Sequence, residues 1–245
     1  MKLMVDDAVW GFSKIFSDFG EVVSLPGRDI SRESLLDCDM LIVRSRTQVN
    51  QGLLEGTQIS FVGSTVAGLD HIDESYLYKN NIAFSSAQGC NANAVAEYVI
   101  SALANLAHDY CFNLTEKSLG IIGVGNVGRR LNFKARQLGM TTLLNDPPRE
   151  EKEGADGFVS LENALSADIV SFHTPLTNNG PYPTHNLLGS QNFNLITEDT
   201  ILINAARGGI IDEAIWETIN TKANIIDCWE NEPSINLTLQ KLAYW

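Results

Sequence analysis

The stretch that decides the fold is Leu119-Gly-Ile-Ile-Gly-Val-Gly-Asn-Val-Gly128, in which the pattern G-x-G-x-x-G follows directly on an apolar run. The three glycines predict three different roles. Gly123 allows a tight turn, Gly125 lets the backbone approach a pyrophosphate, and Gly128 lets a helix pack on a strand. The pattern alone is weak evidence, because a glycine-rich turn in an ordinary βαβ unit looks the same.

The residues that follow supply the rest of a dinucleotide-binding unit. Residues 126–138 have the composition of a helix, and its first turn, with Asn126 and Val127, would offer N–H donors and the positive end of the helix dipole to phosphates. The order of strand, glycine turn and helix favours a Rossmann-type site over a bare turn.

An acid stands where such a unit needs one. A second apolar run at residues 141–145 ends in Asp146, which lies 23 residues after Gly123. A carboxylate at this distance binds the ribose hydroxyls and repels the extra phosphate of NADP. We therefore predict NAD as the cofactor. Arg149 lies close by in sequence, and it leaves some tolerance of NADP open.

Composition narrows the class of protein. The 245 residues are 44% hydrophobic with a net charge of -13, which predicts a packed chain of one or two domains and argues against nucleic acid as a partner. No run of about 18 apolar residues is present, so we expect no membrane span. The four cysteines form no C-x-x-C pair and no cluster of zinc ligands, so we expect no metal site, and we expect reduced thiols in a cytoplasmic protein.

Short apolar runs alternate with segments of helix length along the whole chain. The runs at residues 2–5, 21–24, 40–43 and 59–62 precede a long amphipathic pattern at 91–106, and those at 167–172, 200–204 and 224–226 follow the glycine unit. This alternation predicts an α/β protein with two Rossmann-like domains, parallel sheets and flanking helices. We place the boundary at the long helix, with one domain over residues 1–92 and an NAD-binding domain over 93–245.

Each of the last three runs is followed by a polar segment. These segments are His173-Thr-Pro175, Ala205-Ala-Arg-Gly208 and Asp227-Cys-Trp-Glu230. Ligands of open parallel sheets bind beyond the carboxyl ends of the strands, so we expect all three segments to converge on one crevice beside the cofactor.

At this point the chain resembles the D-2-hydroxyacid dehydrogenases. The shared segments, in the family's order, are Asn91-Ala-Asn-Ala-Val-Ala-Glu97, the glycine pattern, His173-Thr-Pro-Leu176, Asn204-Ala-Ala-Arg-Gly208 and Asp227-Cys-Trp-Glu-Asn-Glu-Pro233. Other segments are similar to the branch of that family that oxidises 4-phospho-D-erythronate. They include Val43-Arg-Ser-Arg-Thr-Gln-Val-Asn50, Asp70-His-Ile-Asp73, Asn145-Asp-Pro-Pro148 and Asn179-Gly-Pro-Tyr182.

The resemblance implies roles for several residues. Arg207 would bind the substrate carboxylate and the reacting oxygen, and Glu232 would pair with the catalytic histidine. Thr174 and Asp227 would contact the cofactor near the nicotinamide, with Ala205 and Ala206 lying against it. Asp146 keeps its ribose role.

The resemblance also makes residues 1–92 a flavodoxin-like substrate-binding domain. Ser45, flanked by Arg44 and Arg46, would bind the phosphorylated end of the substrate. The next segment, Gly63-Ser-Thr-Val-Ala-Gly68, departs from the family's Gly-Thr-Ala-Thr-Ala-Gly. Because Val66 cannot donate a hydrogen bond, Thr65 or Ser64 is expected to act in its place.

The implied activity is NAD-dependent oxidation of a phosphorylated 2-hydroxy acid, 4-phospho-D-erythronate, in the synthesis of vitamin B6, by a homodimer in the full-length form. The resemblance implies that the family's catalytic histidine would lie beyond Trp245. We therefore expect the C-terminal part to be missing, with the last strand of the NAD-binding domain and the return of the first domain, and turnover to be weak. Two alternatives stay open: a dehydrogenase of the 3-phosphoglycerate type, and a non-catalytic NAD-binding protein.

Overall fold

A computed structural model describes residues 1–216 and 218–230. The chain forms two compact units that divide between Asn91 and Ala92. Each unit contains a five-stranded sheet in which every pairing is parallel. The predicted α/β class, with two parallel sheets and flanking helices, is thereby confirmed. Glu232 and the expectations about the C-terminal strand and return lie outside the described residues.

The first unit alternates strands with short helices. The strands are β1 (Lys2–Asp6), β2 (Glu21–Leu25), β3 (Met40–Val43), β4 (Phe61–Ser64) and β5 (Ala83–Ser86), and the helices are α1 (Phe12–Phe16), α2 (Arg32–Leu35), α3 (Gln51–Leu54) and α4 (Glu74–Lys79). The strand order is β2-β1-β3-β4-β5. Successive residues of β1 pack into opposite cores, since Leu3 and Val5 join one cluster and Met4 joins the other. Helices and loops therefore cover both faces of this sheet.

The second unit repeats this plan with one longer helix. Its strands are β6 (Ser118–Ile122), β7 (Thr141–Asn145), β8 (Ile169–Phe172), β9 (Ile201–Asn204) and β10 (Ala223–Ile226), and its helices are α5 (Ala92–Asp109), α6 (Asn126–Gln137), α7 (Pro147–Glu153), α8 (Leu161–Leu165) and α9 (Glu213–Trp216). The strand order is β10-β9-β8-β6-β7. The described helices include none with both the length and the apolar composition needed to cross a membrane.

Alternation along the strands divides the second core into two layers. Ile121 packs into the layer that contains α5 and α6, whereas its neighbour Ile122 packs into the opposite layer. Helix α5 buries Val99, Leu103 and Leu106 on a single face, as its amphipathic pattern predicts. Because all five strands are parallel, their carboxyl ends, with the turns that follow them, share one edge of the sheet.

Candidate functional site

The turn between β6 and α6 needs glycine at two positions for packing. Gly123 has a φ of +89°, and a Cβ atom built on it would lie 2.7 Å from the carbonyl carbon of His173. A Cβ atom on Gly128 would lie 2.1 Å from the carbonyl oxygen of Gly123. Both contacts are with backbone, which cannot move aside. The predicted roles of these two glycines in the turn and in helix packing therefore have a direct steric basis.

The middle glycine is different. A Cβ atom on Gly125 would meet no other atom within 4 Å, so nothing in the protein itself requires a glycine there. Gly125 is the N-cap of α6, and it is exposed together with Asn126, while Val127 is half-buried in the first turn. The open space over Gly125 lets a ligand approach backbone N–H groups at the start of a twelve-residue helix.

Asp146 is fixed beside this turn by two backbone hydrogen bonds. Its Oδ2 atom accepts from the N–H of Val124 at 2.8 Å, and its Oδ1 atom accepts from the N–H of Arg149 at 3.2 Å. The side chain thereby caps α7 and is half-buried at the end of β7. Each carboxylate oxygen keeps a further lone pair, which can accept a hydrogen bond from a ribose hydroxyl.

A cavity of about 430 Å³ lies at the same edge of the sheet. Its walls include Ile122, Asp146, Pro147, Leu161 and Tyr182, so its lining is largely apolar with an acid at one side. The volume and the lining are typical of small-molecule sites. A flat aromatic base with a ribose attached fits both properties.

Two polar atoms at the end of β8 lack partners among the residues that the structure describes. The Nδ1 atom of His173 and the Oγ1 atom of Thr174 are shielded from solvent and make no hydrogen bond. The other ring nitrogen of His173, Nε2, lies 2.8 Å from the hydroxyl of Ser171, and burial lowers the pKa of His173 to about 4. The glycine cradle, the cavity and these two polar atoms together fit a dinucleotide.

A buried asparagine organises the turn after β9. The side-chain amide of Asn204 donates to the carbonyl of Arg207 at 2.8 Å and accepts from the N–H of Ala206 at 3.2 Å. The backbone N–H of Asp227 donates to the carbonyl of Asn204 at 3.0 Å. Asn204 therefore ties the turn after β9 to the end of β10. The sequence motif contained Asn204, but no role was assigned to it.

Arg207 lies in that turn and is half-buried. Its Nη1 atom donates to the carbonyl of Ala206 at 2.7 Å. A Cβ atom on the next residue, Gly208, would lie 2.2 Å from the backbone nitrogen of Glu230. The turns after β9 and β10 are thus in direct contact.

The strand order separates two of the acids. Asp146 follows the edge strand β7 and Asp227 follows β10 at the opposite edge of the described sheet, with Gly123, Thr174 and Arg207 in the turns after the three strands between them. Four inter-strand spacings of about 4.8 Å put roughly 19 Å between the two edges. The site is therefore elongated, and its two acids would serve opposite ends of one ligand.

Tyr98 was missed by sequence reasoning. It lies on α5 and lines a second hollow in this unit together with Ser101, Asn105, Asp227 and Trp229. Burial raises the pKa of Tyr98, and the charge of Asp227 raises it further. The helical pattern identified only the apolar face of α5, so a half-exposed tyrosine beside that face gave no signal.

The first unit brings its two predicted substrate residues to one edge. Ser45 follows β3 and Thr65 follows the neighbouring strand β4, and both are exposed. The hydroxyl of Thr65 donates to the carbonyl of Val43 at 3.3 Å, so it must rotate to donate to an anion. The hydroxyl of Ser64 lies 3.2 Å from Nε2 of the buried His71, which leaves Ser64 less suited to that role. Among the described residues, no group of three or more His, Cys, Asp or Glu could hold a metal ion.

Comparison with known proteins agrees with this geometry. Residues 94–242 match the sequence model of the D-isomer specific 2-hydroxyacid dehydrogenase, NAD binding domain. An erythronate-4-phosphate dehydrogenase of Ruthia magnifica subsp. Calyptogena magnifica is 57% identical over 244 residues, covering 100% of this chain and 71% of the relative. The enzyme of the same name from Hydrogenovibrio crunogenus is 58% identical over 241 residues, covering 98% of this chain and 64% of the relative.

A solved structure extends the likeness to the fold. The D-lactate dehydrogenase of Aquifex aeolicus, complexed with NAD and lactic acid, aligns with a TM-score of 0.76 at 20% identity, covering 94% of this chain and 78% of that one. The NAD-binding unit is therefore identified by sequence, by fold and by the shape of its glycine turn. The chain belongs to the D-isomer specific 2-hydroxyacid dehydrogenase family, within which it groups with the relatives named erythronate-4-phosphate dehydrogenase.

Proposed function

We propose that the protein oxidises 4-phospho-D-erythronate to (R)-3-hydroxy-2-oxo-4-phosphooxybutanoate with NAD, as a step in the synthesis of pyridoxal 5'-phosphate. One observation carries the proposal: relatives named for this activity match at 57–58% identity across both units of the chain. The elongated edge of the second sheet, with glycine turn and ribose acid, supports the cofactor half of it.

The reaction removes a hydride from C2 and a proton from the hydroxyl on C2, so that a carbonyl forms. NAD, when bound, accepts the hydride. We assign Arg207 to the carboxylate of the substrate, which a guanidinium can grip with two parallel hydrogen bonds. The same side chain would polarise the C2 oxygen as its charge develops. The position of Arg207 at the end of β9, fixed through Asn204, supports this role.

We assign the proton acceptor to neither His173 nor His71. A pKa of about 4 makes His173 a weak base near neutral pH, where an effective general base has a pKa close to 7. His71 is buried, with its Nε2 atom beside Ser64. We assign Glu232, as the family resemblance implies, to orienting an imidazole that takes the proton.

We assign the phosphate of the substrate to the first unit. Ser45 lies between two exposed arginines, Arg44 and Arg46, at the end of β3. The Nη1 atom of Arg44 donates to the carbonyl of Ala8 at 3.0 Å, which holds the guanidinium at the same edge and leaves its other N–H groups for an anion. Hydroxyl and guanidinium donors together are a common way to bind a phosphate. Thr65 would add a second hydroxyl from the neighbouring strand.

A substrate panel tests the proposal. NADH formation by the purified protein is followed with 4-phospho-D-erythronate, 3-phospho-D-glycerate and D-lactate, and NADH binding is measured separately by calorimetry. We expect binding of NADH and the highest kcat/KM with 4-phospho-D-erythronate. A higher value with 3-phospho-D-glycerate would replace the proposed substrate, and binding with no turnover of any acid would favour the non-catalytic alternative. The expectation of weak turnover by these 245 residues stays a prediction that the same assay tests.

We further propose that the protein is a homodimer in the cytoplasm. Analytical sedimentation measures the oligomeric state, and a monomer would contradict this part of the proposal.

A further inference from the structure

Arg149 is held by an acid one helical turn further along α7. Its Nε atom donates to Oε1 of Glu153 at 2.7 Å, and its Nη2 atom donates to Oε2 of the same residue at 2.5 Å. This is a bidentate pair, in which the planar guanidinium lies edge-on to the carboxylate. The hydrogen bond with Glu153 raises the pKa of Arg149 further above its already high value, so the arginine stays charged.

The guanidinium of Arg149 also contacts the backbone of the glycine turn and an aromatic ring. Its Nη1 atom donates to the carbonyl of Val124 at 2.6 Å, and its guanidinium carbon lies 5.4 Å from the centre of the Phe158 ring. All three nitrogens of the guanidinium therefore have protein acceptors. The group lies against the glycine turn with its charge matched by Glu153.

This location matters for the choice of cofactor. Val124 is also the residue whose N–H binds Asp146, so the arginine lies next to the acid that faces the ribose hydroxyls. NADP differs from NAD by a phosphate on the ribose 2'-hydroxyl, and an arginine near that hydroxyl is the usual partner of this phosphate. The chain thus has a suitably placed arginine in which three of the five N–H donors are bound and the charge is paired with Glu153.

We propose that Glu153 is a specificity-determining residue, which favours NAD over NADP by binding Arg149. Asp146 repels the 2'-phosphate directly, and Glu153 removes the cation that would offset this repulsion. The inference rests on the cofactor half of the proposed function and is independent of the substrate. A purely structural role for the pair predicts a change in stability with no change in the ratio of NADH to NADPH affinity.

Three variants test the inference. Glu153→Ala releases Arg149. Glu150→Ala is the matched control, because it removes an acid of the same helix whose carboxylate, among the described residues, forms no hydrogen bond or ion pair with Arg149. Arg149→Ala/Glu153→Ala removes the cation as well. Dissociation constants of NADH and NADPH are measured by calorimetry at fixed ionic strength.

We expect Glu153→Ala to tighten NADPH binding by about 3- to 10-fold, since exposed bidentate pairs are modest in strength, while NADH binding stays nearly constant. Glu150→Ala should give a clearly smaller gain, and the double variant should lose the gain. If Glu153→Ala does not fold, Glu153→Gln, which keeps the shape and loses the charge, should show a smaller gain in the same direction.

Three results would overturn the inference while leaving the proposed function intact. They are an unchanged NADPH affinity in Glu153→Ala, an equal gain in Glu150→Ala, and a gain that persists without Arg149. Failure of the wild-type protein to bind NADH would instead refute the cofactor site, and the inference would fall with it.

Discussion

The two units have the same strand order and differ in the turn that follows their first strand. In each unit the first strand lies between the second and the third, which places the crevice of the sheet beside that turn. The second unit has Gly123, Gly125 and Gly128 there. The first unit has Asp6-Asp7-Ala8-Val9-Trp10 at the end of β1, and this segment lacks the G-x-G-x-x-G pattern.

An acid occupies the first unit's turn. Asp6 is buried, its Oδ1 atom accepts from the N–H of Ala8 at 2.9 Å, and a Cβ atom on Gly27 would lie 2.4 Å from Oδ2. Where the second unit leaves open space over Gly125, the first unit places a carboxylate against its own backbone. A pyrophosphate would meet negative charge there. Topology thus sets where a ligand binds, and the residues of one turn set which ligand it is.

The largest effect is expected when a glycine that packs the turn between β6 and α6 is replaced by a residue with a side chain. Gly128→Val places a side chain against the Gly123 carbonyl, and the backbone must shift to relieve the clash. We expect a loss of more than about 3 kcal/mol in the free energy of unfolding, measured by urea denaturation. Gly125→Ala is the control, because its methyl group has space: stability should hold while NADH binding is lost. Equal stability of the two variants would contradict the steric account.

The next prediction distinguishes an aspartate that only caps a helix from one that also contacts the cofactor. Asp146 in the second unit and Asp73 in the first both cap a helix, α7 and α4 respectively. Each change to Ala should cost about 1 kcal/mol of stability. Only Asp146→Ala should weaken NADH binding, by roughly 10- to 100-fold, because a hydrogen bond to a charged group is lost. Unchanged NADH affinity in Asp146→Ala would remove this residue from the site.

A pH measurement tests the buried histidine of the second unit. Because burial lowers the pKa of His173 from about 6.5 to about 4, the unfolded chain binds a proton that the folded chain does not in this range. Stability should therefore fall as pH drops from about 6.5 to 4, by about 1–3 kcal/mol from this residue. His173→Asn should flatten this part of the curve relative to wild type, and the exposed His108→Asn should not. An unchanged slope in His173→Asn would contradict the assignment.

The smallest effect concerns two acids at the amino ends of the sheets, Asp168 in the second unit and Asp37 in the first. Partial burial alone would raise the pKa of Asp168, but hydrogen bonds from the N–H and hydroxyl of Ser118 and from Lys117 outweigh it and lower the pKa to about 2. In the first unit, a hydrogen bond from Lys2 lowers the pKa of the exposed Asp37. Both acids then contribute stability above pH 3.8 that is lost as pH falls toward their folded-state pKa.

Changing each acid to asparagine shows which of the two contributes more to the loss of stability at low pH. Asp168→Asn should reduce the loss of stability between about pH 4 and 2 measurably, because three donors converge on that carboxylate. Asp37→Asn should change it little, as is usual for an exposed pair. Thermal denaturation across this range measures both, and a larger effect of Asp37→Asn would reverse the ranking.

Local patterns with a steric or periodic cause were predictable from sequence. The strand β7 has the predicted bounds, Thr141–Asn145, because turn residues delimit its apolar run on both sides. Strand β4 begins at Phe61, two residues later than predicted, because Ile59 is buried in the preceding loop and apolarity alone could not place it. Strand β5 was not predicted: its burial alternates between exposed and half-buried at the edge of the sheet, so it has no apolar run.

Features that depend on tertiary contacts were less predictable. Helix α1 is short, Phe12–Phe16, and is followed by a 3-10 turn, because no residue of α1 is buried to stabilise a longer helix. Asn93 lies within α5, where its amide donates to Glu97 at 2.9 Å, a side-chain contact that the apolar pattern of this helix does not predict. The arginine near the ribose acid was noted in the sequence, but its pairing with Glu153 depends on side-chain geometry that no pattern encodes.

The hydrogen bonds of the Asn204 side chain limit the substitutions that such an enzyme can accept during evolution. The side-chain amide of Asn204 binds the Arg207 carbonyl and the Ala206 N–H at the same time, so a substitution there releases both bonds and disturbs the turn that positions Arg207. Laboratory evolution toward a new substrate should therefore leave residues 204–208 unchanged. Accepted substitutions should accumulate at Ser45 and Val66, whose side chains form no hydrogen bond with a neighbouring strand among the described residues.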